Sequence, residues 1–157
     1  MAQQAAARKQ EAFTEQRIGN EPVLAMSSTS AAQTADHFVV RDGLQFAGTH
    51  LLIDLWGASR LDDLAHVEAM LTEAVDAVGA TLLNIDLHHF QPEGGISGVA
   101  ILAESHMSIH TWPERGFAAI DIFVCGACNA HAAVAVLRRA FLPAQVTLTE
   151  HKRGLVP

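Results

Sequence analysis

Positively charged residues are scarce in this sequence. Its 157 residues include ten Lys and Arg against 17 Asp and Glu, so the formal net charge at pH 7 is −7. Proteins that bind a phosphate backbone present clusters of Lys and Arg, often with aromatic residues between them, and no such cluster occurs in this sequence. The composition therefore argues against a nucleic-acid partner.

Long apolar runs are absent as well. A helix that crosses a bilayer needs about 20 consecutive apolar residues, and no stretch of the sequence approaches that length. The first 20 residues also lack the apolar segment of a signal peptide, because five charged side chains interrupt them between Arg8 and Arg17. Cysteine is rare, with only Cys125 and Cys128. We therefore expect a cytoplasmic protein with no membrane partner.

Material for a core is missing from the first 36 residues. They are rich in Ala, Gln, Ser and Thr, and the segment 27–34 contains no large apolar side chain. Such a composition predicts a disordered N-terminal extension at 1–36. Hydrophobic residues make up 50% of the whole sequence, which is ample for one globular domain at 37–157.

Apolar periodicity indicates the elements of that domain. In 43–56, Leu51, Ile53 and Leu55 alternate with other residues as they do in a strand. A helix is predicted to open at Ser59 or Arg60 and to end at Gly79, since apolar residues recur there at intervals of three and four. Four strands, a helix capped by Asn129 and a final strand are then predicted at 80–90, 96–103, 106–112, 117–124, 129–140 and 144–150.

The element order is β-α-β-β-β-β-α-β, which predicts an α+β fold. Consecutive strands favour an antiparallel β-sheet, and the two helices would pack on one of its faces. The other face of such a sheet stays half exposed unless another layer covers it. We therefore expect the chain to dimerise into a layered sandwich and to form a homo-oligomer of at least two protomers.

The stretch 103–114, Ala-Glu-Ser-His-Met-Ser-Ile-His-Thr-Trp-Pro-Glu, concentrates the reactive side chains of the sequence. A serine hydroxyl held against the preceding carbonyl can attack it, which moves the acyl group from nitrogen to oxygen. β-Elimination of the resulting ester would break the chain between Glu104 and Ser105, and the dehydroalanine left behind would tautomerise and hydrolyse with loss of ammonia, which converts Ser105 into a pyruvoyl group. That step needs a base, and an imidazole suits it near neutral pH.

The two histidines of this stretch, His106 and His110, have the spacing of a metal-binding helix. The local sequence favours a strand, because Pro113 does not fit inside a helix and the preceding residues are β-branched or aromatic. Four residues of a strand span roughly 13 Å, which is too far for one shared ion. We therefore predict no metal site.

A hairpin through this stretch has a consequence for catalysis. If the strands at 96–103 and 106–112 turn at Glu104–Ser105, Ser97 lies near Trp112 and Val99 near His110. Ser97 and His110 are then neighbours at the end away from the turn. His110 would then be roughly 16 Å from Ser105 of its own chain. A two-fold dimer would bring the two residues together and create two composite sites.

Three blocks in this sequence are similar to the prokaryotic S-adenosylmethionine decarboxylase proenzymes. They are Gly-Ile-Ser-Gly at 95–98, Glu-Ser-His-Met-Ser-Ile-His-Thr-Trp-Pro-Glu at 104–114, and Ala-Ala-Ile-Asp-Ile-Phe-Val-Cys-Gly at 118–126. Thr-Leu-Leu-Asn-Ile-Asp-Leu-His-His-Phe at 81–90 and Glu-His-Lys-Arg-Gly at 150–154 extend the resemblance, which runs from about Gly43 to Gly154.

The resemblance implies a self-processing, pyruvoyl-dependent carboxy-lyase. Such an enzyme converts S-adenosylmethionine into S-adenosylmethioninamine and CO2 for spermidine biosynthesis, through a Schiff base to its own pyruvoyl group. The cofactor would come from Ser105, and the substrate would be the small-molecule partner. The family's roles fall on Ser105 as pyruvoyl, His110 as processing base, Ser97 as processing helper, Cys125 as proton donor, Glu114 at the ribose and Phe90 near the adenine.

Other readings of these residues stand beside the functional ones. Ser97 stands next to a glycine and would equally well be a turn residue. Cys125 would also suit a small, buried position in the core. At the level of function, the same fold would serve a pyruvoyl decarboxylase for ornithine or arginine, or an unprocessed regulatory homologue. A metal-binding homologue that uses Cys125, Cys128 and histidines is the remaining alternative. Cys128, His88 and His89 receive no role.

Overall fold

The computed structural model describes residues 38–90 and 94–157. The extension predicted to be disordered at 1–36 lies outside the described residues.

A six-stranded antiparallel sheet forms the centre of the described domain. Its strands follow one another in space as β4-β5-β6-β7-β3-β8, and a separate two-stranded sheet pairs β1 with β2. The strands are β1 Val39–Arg41, β2 Leu44–Phe46, β3 Gly48–Trp56, β4 Leu82–His89, β5 Ile96–Leu102, β6 Ser105–Trp112, β7 Phe117–Cys125 and β8 Gln145–Arg153. The helices are α1 Leu64–Val78 and α2 Ala132–Phe141. From β3 onward the predicted order β-α-β-β-β-β-α-β is confirmed, and the small hairpin of β1 and β2 is an addition.

Burial alternates along the strands, because successive side chains point to opposite faces of a sheet. One face packs on α1 and α2 and carries the core, in which Leu51, Ile109, Ile122 and Phe141 are fully buried. We call the opposite side, which no helix covers, the open face. It exposes large apolar side chains, namely Leu52, Trp56, Ile101 and Trp112.

The first helix begins later than predicted. Its N-cap is Asp63, whose carboxylate accepts a hydrogen bond from the backbone N–H of His66 at 3.1 Å. The predicted start at Ser59 or Arg60 is wrong, because the Ser59 hydroxyl donates instead to the carbonyl of Phe141 and Arg60 adopts a φ of +59°. A left-handed residue ends any helical run, so α1 starts only after it.

Two further details surround this helix. Hydrogen bonds from the Arg60 side chain and from the His66 backbone hold the pKa of the Asp63 carboxyl below its usual value. At the other end, Gly79 has a φ of +76° and its N–H donates to the carbonyl of Asp76, so the predicted glycine terminus is confirmed.

The second helix is not capped by Asn129. The N-cap position belongs to His131, which makes no capping hydrogen bond through its side chain. Asn129 lies one turn earlier, where its N–H donates to the carbonyl of Val78 at 3.0 Å and its carbonyl accepts from Ala132. This turn brings Ala130 into the core, where it is 2% exposed. The segment 129–131 is therefore shaped by packing against α1, which propensity does not predict.

The hairpin of β5 and β6 turns one residue earlier than predicted. Ala103 and Glu104 form the turn, Leu102 pairs with Ser105, and Ser105 already belongs to β6. The predicted turn at Glu104–Ser105 is wrong, because Glu104 takes the left-handed conformation with a φ of +61° and closes the chain within two residues. Since the pairing shifts by two positions, every side chain stays on the face expected for it.

Thr111 fastens the start of β5 to β6 and to the segment before α1. Its buried hydroxyl accepts from the backbone N–H of Ile96 at 2.7 Å and donates to the carbonyl of Leu61 at 2.7 Å. We expect Thr111→Val to lower the free energy of unfolding by about 1–3 kcal/mol, because both backbone groups lose their partner inside the protein. Thr111→Ser, which keeps the hydroxyl, should cost less than Thr111→Val. Both variants are measured by urea unfolding in chains that also carry Ser105→Ala, so that every chain is uncleaved. An equal loss of unfolding free energy in Thr111→Val and Thr111→Ser would contradict this role.

Candidate active site

The side chains that the sequence assigned to catalysis lie in two groups, at opposite ends of the β5–β6 hairpin. We call the group of Glu104, Ser105 and Cys125 the cleavage end. Ser97 and His110 belong to the other group, the pocket end, together with Phe90 and Glu114. Leu102 pairs with Ser105 at the first end and Ser97 pairs with His110 at the second, so the length of the hairpin separates the groups.

At the cleavage end, Cys125 contacts both sides of the Glu104–Ser105 peptide bond. Its backbone N–H donates to Ser105 Oγ at 3.2 Å, and its thiol donates to the carbonyl oxygen of Glu104 at 3.4 Å. The end of β7 holds Cys125 there because β6 and β7 are adjacent and antiparallel. The hydroxyl and the carbonyl that an acyl shift would join are thus both held by one residue.

At the pocket end, Ser97 Oγ and His110 Nδ1 are hydrogen-bonded at 2.8 Å. The sequence placed these two residues close together but on different register positions; in the structure they are a direct cross-strand pair. One ring nitrogen of His110 is engaged with the serine, which leaves Nε2 for proton transfer. Ser97 lies within β5 and not in a turn, so turn chemistry does not explain this serine.

Two open depressions meet at Ser97. One has a volume of about 360 Å³ and includes His110, His88 and Ser108 among its lining residues. The other has a volume of about 400 Å³ and brings Phe90, Trp112 and Glu114 together. Phe90 is 51% exposed, so its ring is available to a ligand instead of filling the core. The predicted ribose and adenine residues therefore share one concavity.

Close contact of β5 and β6 beside this concavity depends on a glycine. A Cβ at Gly95 would lie 1.8 Å from the carbonyl oxygen of Thr111. No side chain fits in that space without moving a backbone, so the entry of β5 must be glycine for Ser97 to reach His110.

Sequence reasoning left His88 without a role, and the structure places it in this group. His88 pairs with Ser97 across β4 and β5, so His88, Ser97 and His110 form one row on the open face. Its ring meets that of Phe90 edge-on, with centroids 4.5 Å apart. The alternation of β4 places His88 and Phe90 on one face, but only the pairing register shows that this face carries His110.

A second polar cluster lies on the open face toward the cleavage end. Asp121 accepts the hydroxyl hydrogen of Ser108 at 2.9 Å, and its other carboxylate oxygen is 3.9 Å from His50 Nε2. Arg153 lies 3.3 Å from His50 Nδ1, and a guanidinium can only donate, so the neutral ring carries its proton on Nε2. Burial lowers the pKa of His50, opposed by Asp121 and reinforced by Arg153. Burial thus favours the neutral form of the His50 ring.

Among residues 38–90 and 94–157, no three His, Cys, Asp or Glu side chains are grouped so that they would hold a metal ion. Within the same residues, neither helix has the length and apolar character that a bilayer crossing requires.

Comparison with known proteins gives consistent matches. The family model described as S-adenosylmethionine decarboxylase matches residues 49–154. An S-adenosylmethionine decarboxylase proenzyme of Thermomicrobium roseum is 44% identical over 110 residues, which cover 69% of this chain and 95% of that protein. An S-adenosylmethionine decarboxylase proenzyme of Methanococcus aeolicus is 46% identical over 114 residues, which cover 71% of this chain and 97% of that protein. The crystal structure of the adenosylmethionine decarboxylase of Aquifex aeolicus superposes with a TM-score of 0.65 at 34% identity and covers 71% of this chain and 94% of that one.

Proposed function

The chain belongs to the S-adenosylmethionine decarboxylase family, and from this we propose that it is a proenzyme that cuts itself between Glu104 and Ser105 and then decarboxylates S-adenosylmethionine. The products are S-adenosylmethioninamine and CO2, and the first of them serves spermidine biosynthesis. No observation favours ornithine or arginine as the substrate, or an unprocessed or metal-binding homologue. A cytoplasmic location stays a prediction.

The contacts of Cys125 with the Glu104–Ser105 bond carry this proposal. Attack of Ser105 Oγ on the Glu104 carbonyl places negative charge on that carbonyl oxygen, where the Cys125 thiol donates its hydrogen bond. The Cys125 backbone N–H holds the attacking oxygen of Ser105 at the start of β6. Donors aimed at developing charge lower the barrier of acyl transfer. The uncleaved chain is thus arranged for the shift that precedes elimination.

The base for the elimination is His110. Its side chain is at the pocket end, and five extended residues separate it from Ser105 by roughly 16 Å, so it does not reach the Ser105 of its own chain. A second copy supplies it. Two protomers that pack their open faces about a two-fold axis bring the cleavage end of one chain to the pocket end of the other, twice.

Two observations support this dimer, a layered sandwich with helices outside and sheets inside. The open face exposes Leu52, Trp56, Ile101 and Trp112, which a facing sheet would bury. The two groups of catalytic side chains are also incomplete separately, since one holds the scissile bond and the other the base. Each composite site then contains Ser105 and Cys125 of one protomer and Ser97, His110, Glu114 and Phe90 of its partner.

Ser105 at the cleavage end fits the pyruvoyl cofactor, because it begins a strand and would become the first residue of the new chain. When formed, that group would supply a carbonyl able to condense with the substrate amine and an electron sink for loss of CO2. The side chains of the composite site do the rest. The Cys125 thiol returns a proton to the substrate carbon, the Glu114 carboxylate accepts the two ribose hydroxyls, and the Phe90 ring stacks on the adenine.

A decarboxylation assay with S-adenosylmethionine, ornithine and arginine in parallel tests this function. We expect release of labelled CO2 from S-adenosylmethionine at a kcat/KM at least about 100-fold above the other two, since only a nucleoside fills the concavity of Phe90 and Glu114. Ser105→Ala is the control and should release none from any substrate. Equal or faster release from ornithine or arginine would assign the enzyme to that amino acid.

A further inference from the structure

Both cysteines of the described chain lie in one tight turn, and the role proposed above uses only one of them. We propose that Cys125 and Cys128 form a reversible disulfide when the enzyme meets a hydroperoxide, and that this bond stops decarboxylation. The bond itself follows from the turn. Its effect on turnover rests on the proposed function, in which the Cys125 thiol is the proton donor.

The turn brings the two residues within disulfide range. β7 ends at Cys125, and the backbone N–H of Cys128 donates to the carbonyl of Cys125 at 3.4 Å. A four-residue turn closed in this way places its first and last Cα atoms less than about 7 Å apart. Disulfides join Cα atoms about 4.4–6.8 Å apart. Gly126, the second residue of this turn, has a φ of +60°, as the second residue of a type I′ or II′ turn does.

The two thiols also point toward one region of the protein. Cys125 donates to the carbonyl of Glu104 in the β5–β6 turn, and Cys128 donates to the carbonyl of Gly79 at the end of α1. These two acceptors lie in neighbouring segments, because the backbone N–H of Ala103 donates to the carbonyl of Thr81 at 2.9 Å. Thiols are weak hydrogen-bond donors, so little holds either side chain away from the other.

Both side chains are free and half-buried, so a small oxidant has access to them. Neither lies at a helix N-terminus, since α2 starts only at Ala132. The proposal therefore depends on the proximity of two thiols in a turn. A buried structural cysteine would be neither reactive nor paired in this way.

The chemistry balances with hydrogen peroxide as the oxidant. The Cys125 sulfur attacks one peroxide oxygen, the O–O bond breaks, and a sulfenic acid and one water form. The Cys128 sulfur then attacks the Cys125 sulfur, and the sulfenic oxygen leaves as a second water. Two thiols are oxidised by two electrons in total, and one peroxide is reduced to two waters. A thiol reductant reverses the result.

The disulfide has a direct consequence for turnover. Once oxidised, the Cys125 sulfur carries no hydrogen and has none to return to the substrate carbon. Cys128 also protects its neighbour, because a sulfenic acid trapped as a disulfide does not proceed to the sulfinic acid, which thiols do not reduce. The turn would thus make oxidation of Cys125 reversible by thiols, where a lone cysteine would be lost as sulfinic acid.

The test compares wild-type protein with Cys128→Ser after exposure to hydrogen peroxide. In the wild type, we expect the mass of the chain that contains both cysteines to fall by about 2 Da, the two hydrogens lost on pairing. Decarboxylation should stop in parallel and return by more than about tenfold after dithiothreitol. Cys128→Ser should be as active as wild type before treatment, gain oxygen instead of losing hydrogen, and recover poorly.

The outcomes separate the two proposals. If the wild type keeps its mass under peroxide, or if Cys128→Ser recovers as well as the wild type, the disulfide is ruled out. If the mass falls by two hydrogens but the untreated protein never decarboxylates S-adenosylmethionine, the disulfide stands and the proposed function fails. If the oxidised wild type loses two hydrogens and still decarboxylates S-adenosylmethionine at the untreated rate, the Cys125 thiol is not the proton donor.

Discussion

Purified wild-type protein is expected to separate into two chains under denaturing conditions, residues 1–104 and 105–157. A division of the 16.8-kDa mass by length gives fragments of about 11 and about 6 kDa. The reason is the geometry at the cleavage end, where Cys125 donates to the Ser105 hydroxyl oxygen and to the Glu104 carbonyl. Intact mass spectrometry is decisive, because a pyruvoyl terminus is lighter by one ammonia than a serine terminus.

Ser105→Ala is the control for this cleavage and should remain one chain, since alanine has no hydroxyl to attack the carbonyl. The Ala side chain keeps the strand and the turn unchanged, so the variant should fold as the proenzyme does. A single full-length species from the wild type after prolonged incubation would contradict self-processing. Cleavage that persists in Ser105→Ala would show that another residue, or a contaminating protease, cuts the chain.

The same measurement distinguishes the base from the proton donor. His110→Ala should accumulate uncleaved or ester-stage protein, because the elimination lacks its base. Cys125→Ala should still cleave, since the backbone N–H that holds Ser105 Oγ survives the substitution and only a weak thiol donor leaves the Glu104 carbonyl. Its decarboxylation should be poor. Uncleaved Cys125→Ala beside normally processed His110→Ala would reverse the two roles.

The order of the elements was predictable from the sequence because it depends on periodicity. Alternating apolar residues in β3, β6 and β7, and intervals of three and four in α1, are local signals of a buried face. The family was predictable as well, and the comparisons confirm it, since three motif blocks stand in order along the chain. The element order and the family can both be predicted without knowing which residues contact each other in the folded chain.

The wrong predictions concern helix starts and a turn, which depend on the three-dimensional arrangement of the chain. The start of α1 moved because Ser59 bonds to Phe141, 82 residues further along the chain. The N-cap of α2 lies later than predicted because Ala130 is buried and the Asn129 N–H donates to the carbonyl of Val78, the last residue of α1. The hairpin turn moved because Glu104, a residue without the freedom of glycine, adopts a positive φ. Backbone strain of this kind is found at functional sites, and here it falls on Glu104, whose carbonyl the proposed acyl shift would attack.

The candidate site was predictable in its members but only partly in its arrangement. Ser97 and His110 were expected to be neighbours, and their 2.8 Å hydrogen bond confirms it. His88 was missed because its place beside them depends on the register of β4 against β5. That register includes an irregularity between Leu82 and Asn84, which shifts the pairing in a way that alternation alone does not reveal.

Co-expression of Ser105→Ala with His110→Ala is expected to restore cleavage and decarboxylation that neither variant has alone. In a mixed dimer, one composite site joins the intact Ser105 of the His110→Ala chain to the intact His110 of the Ser105→Ala chain. The other site lacks both residues. Half of the sites in each mixed dimer should therefore work, and mass spectrometry should find cut His110→Ala chains beside whole Ser105→Ala chains.

The two ends of the hairpin also supply a matched negative control. Ser105 and Cys125 both belong to the cleavage end, so in a mixed dimer of Ser105→Ala with Cys125→Ala each composite site has one substituted cleavage end. That pair should restore no decarboxylation, although it forms mixed dimers as readily as the first pair. If differently tagged chains of the first pair copurify and yet no chain is cut, Ser105 and His110 act within one protomer. The separation of the cleavage end from the pocket end would then have to close by a movement within a single sheet.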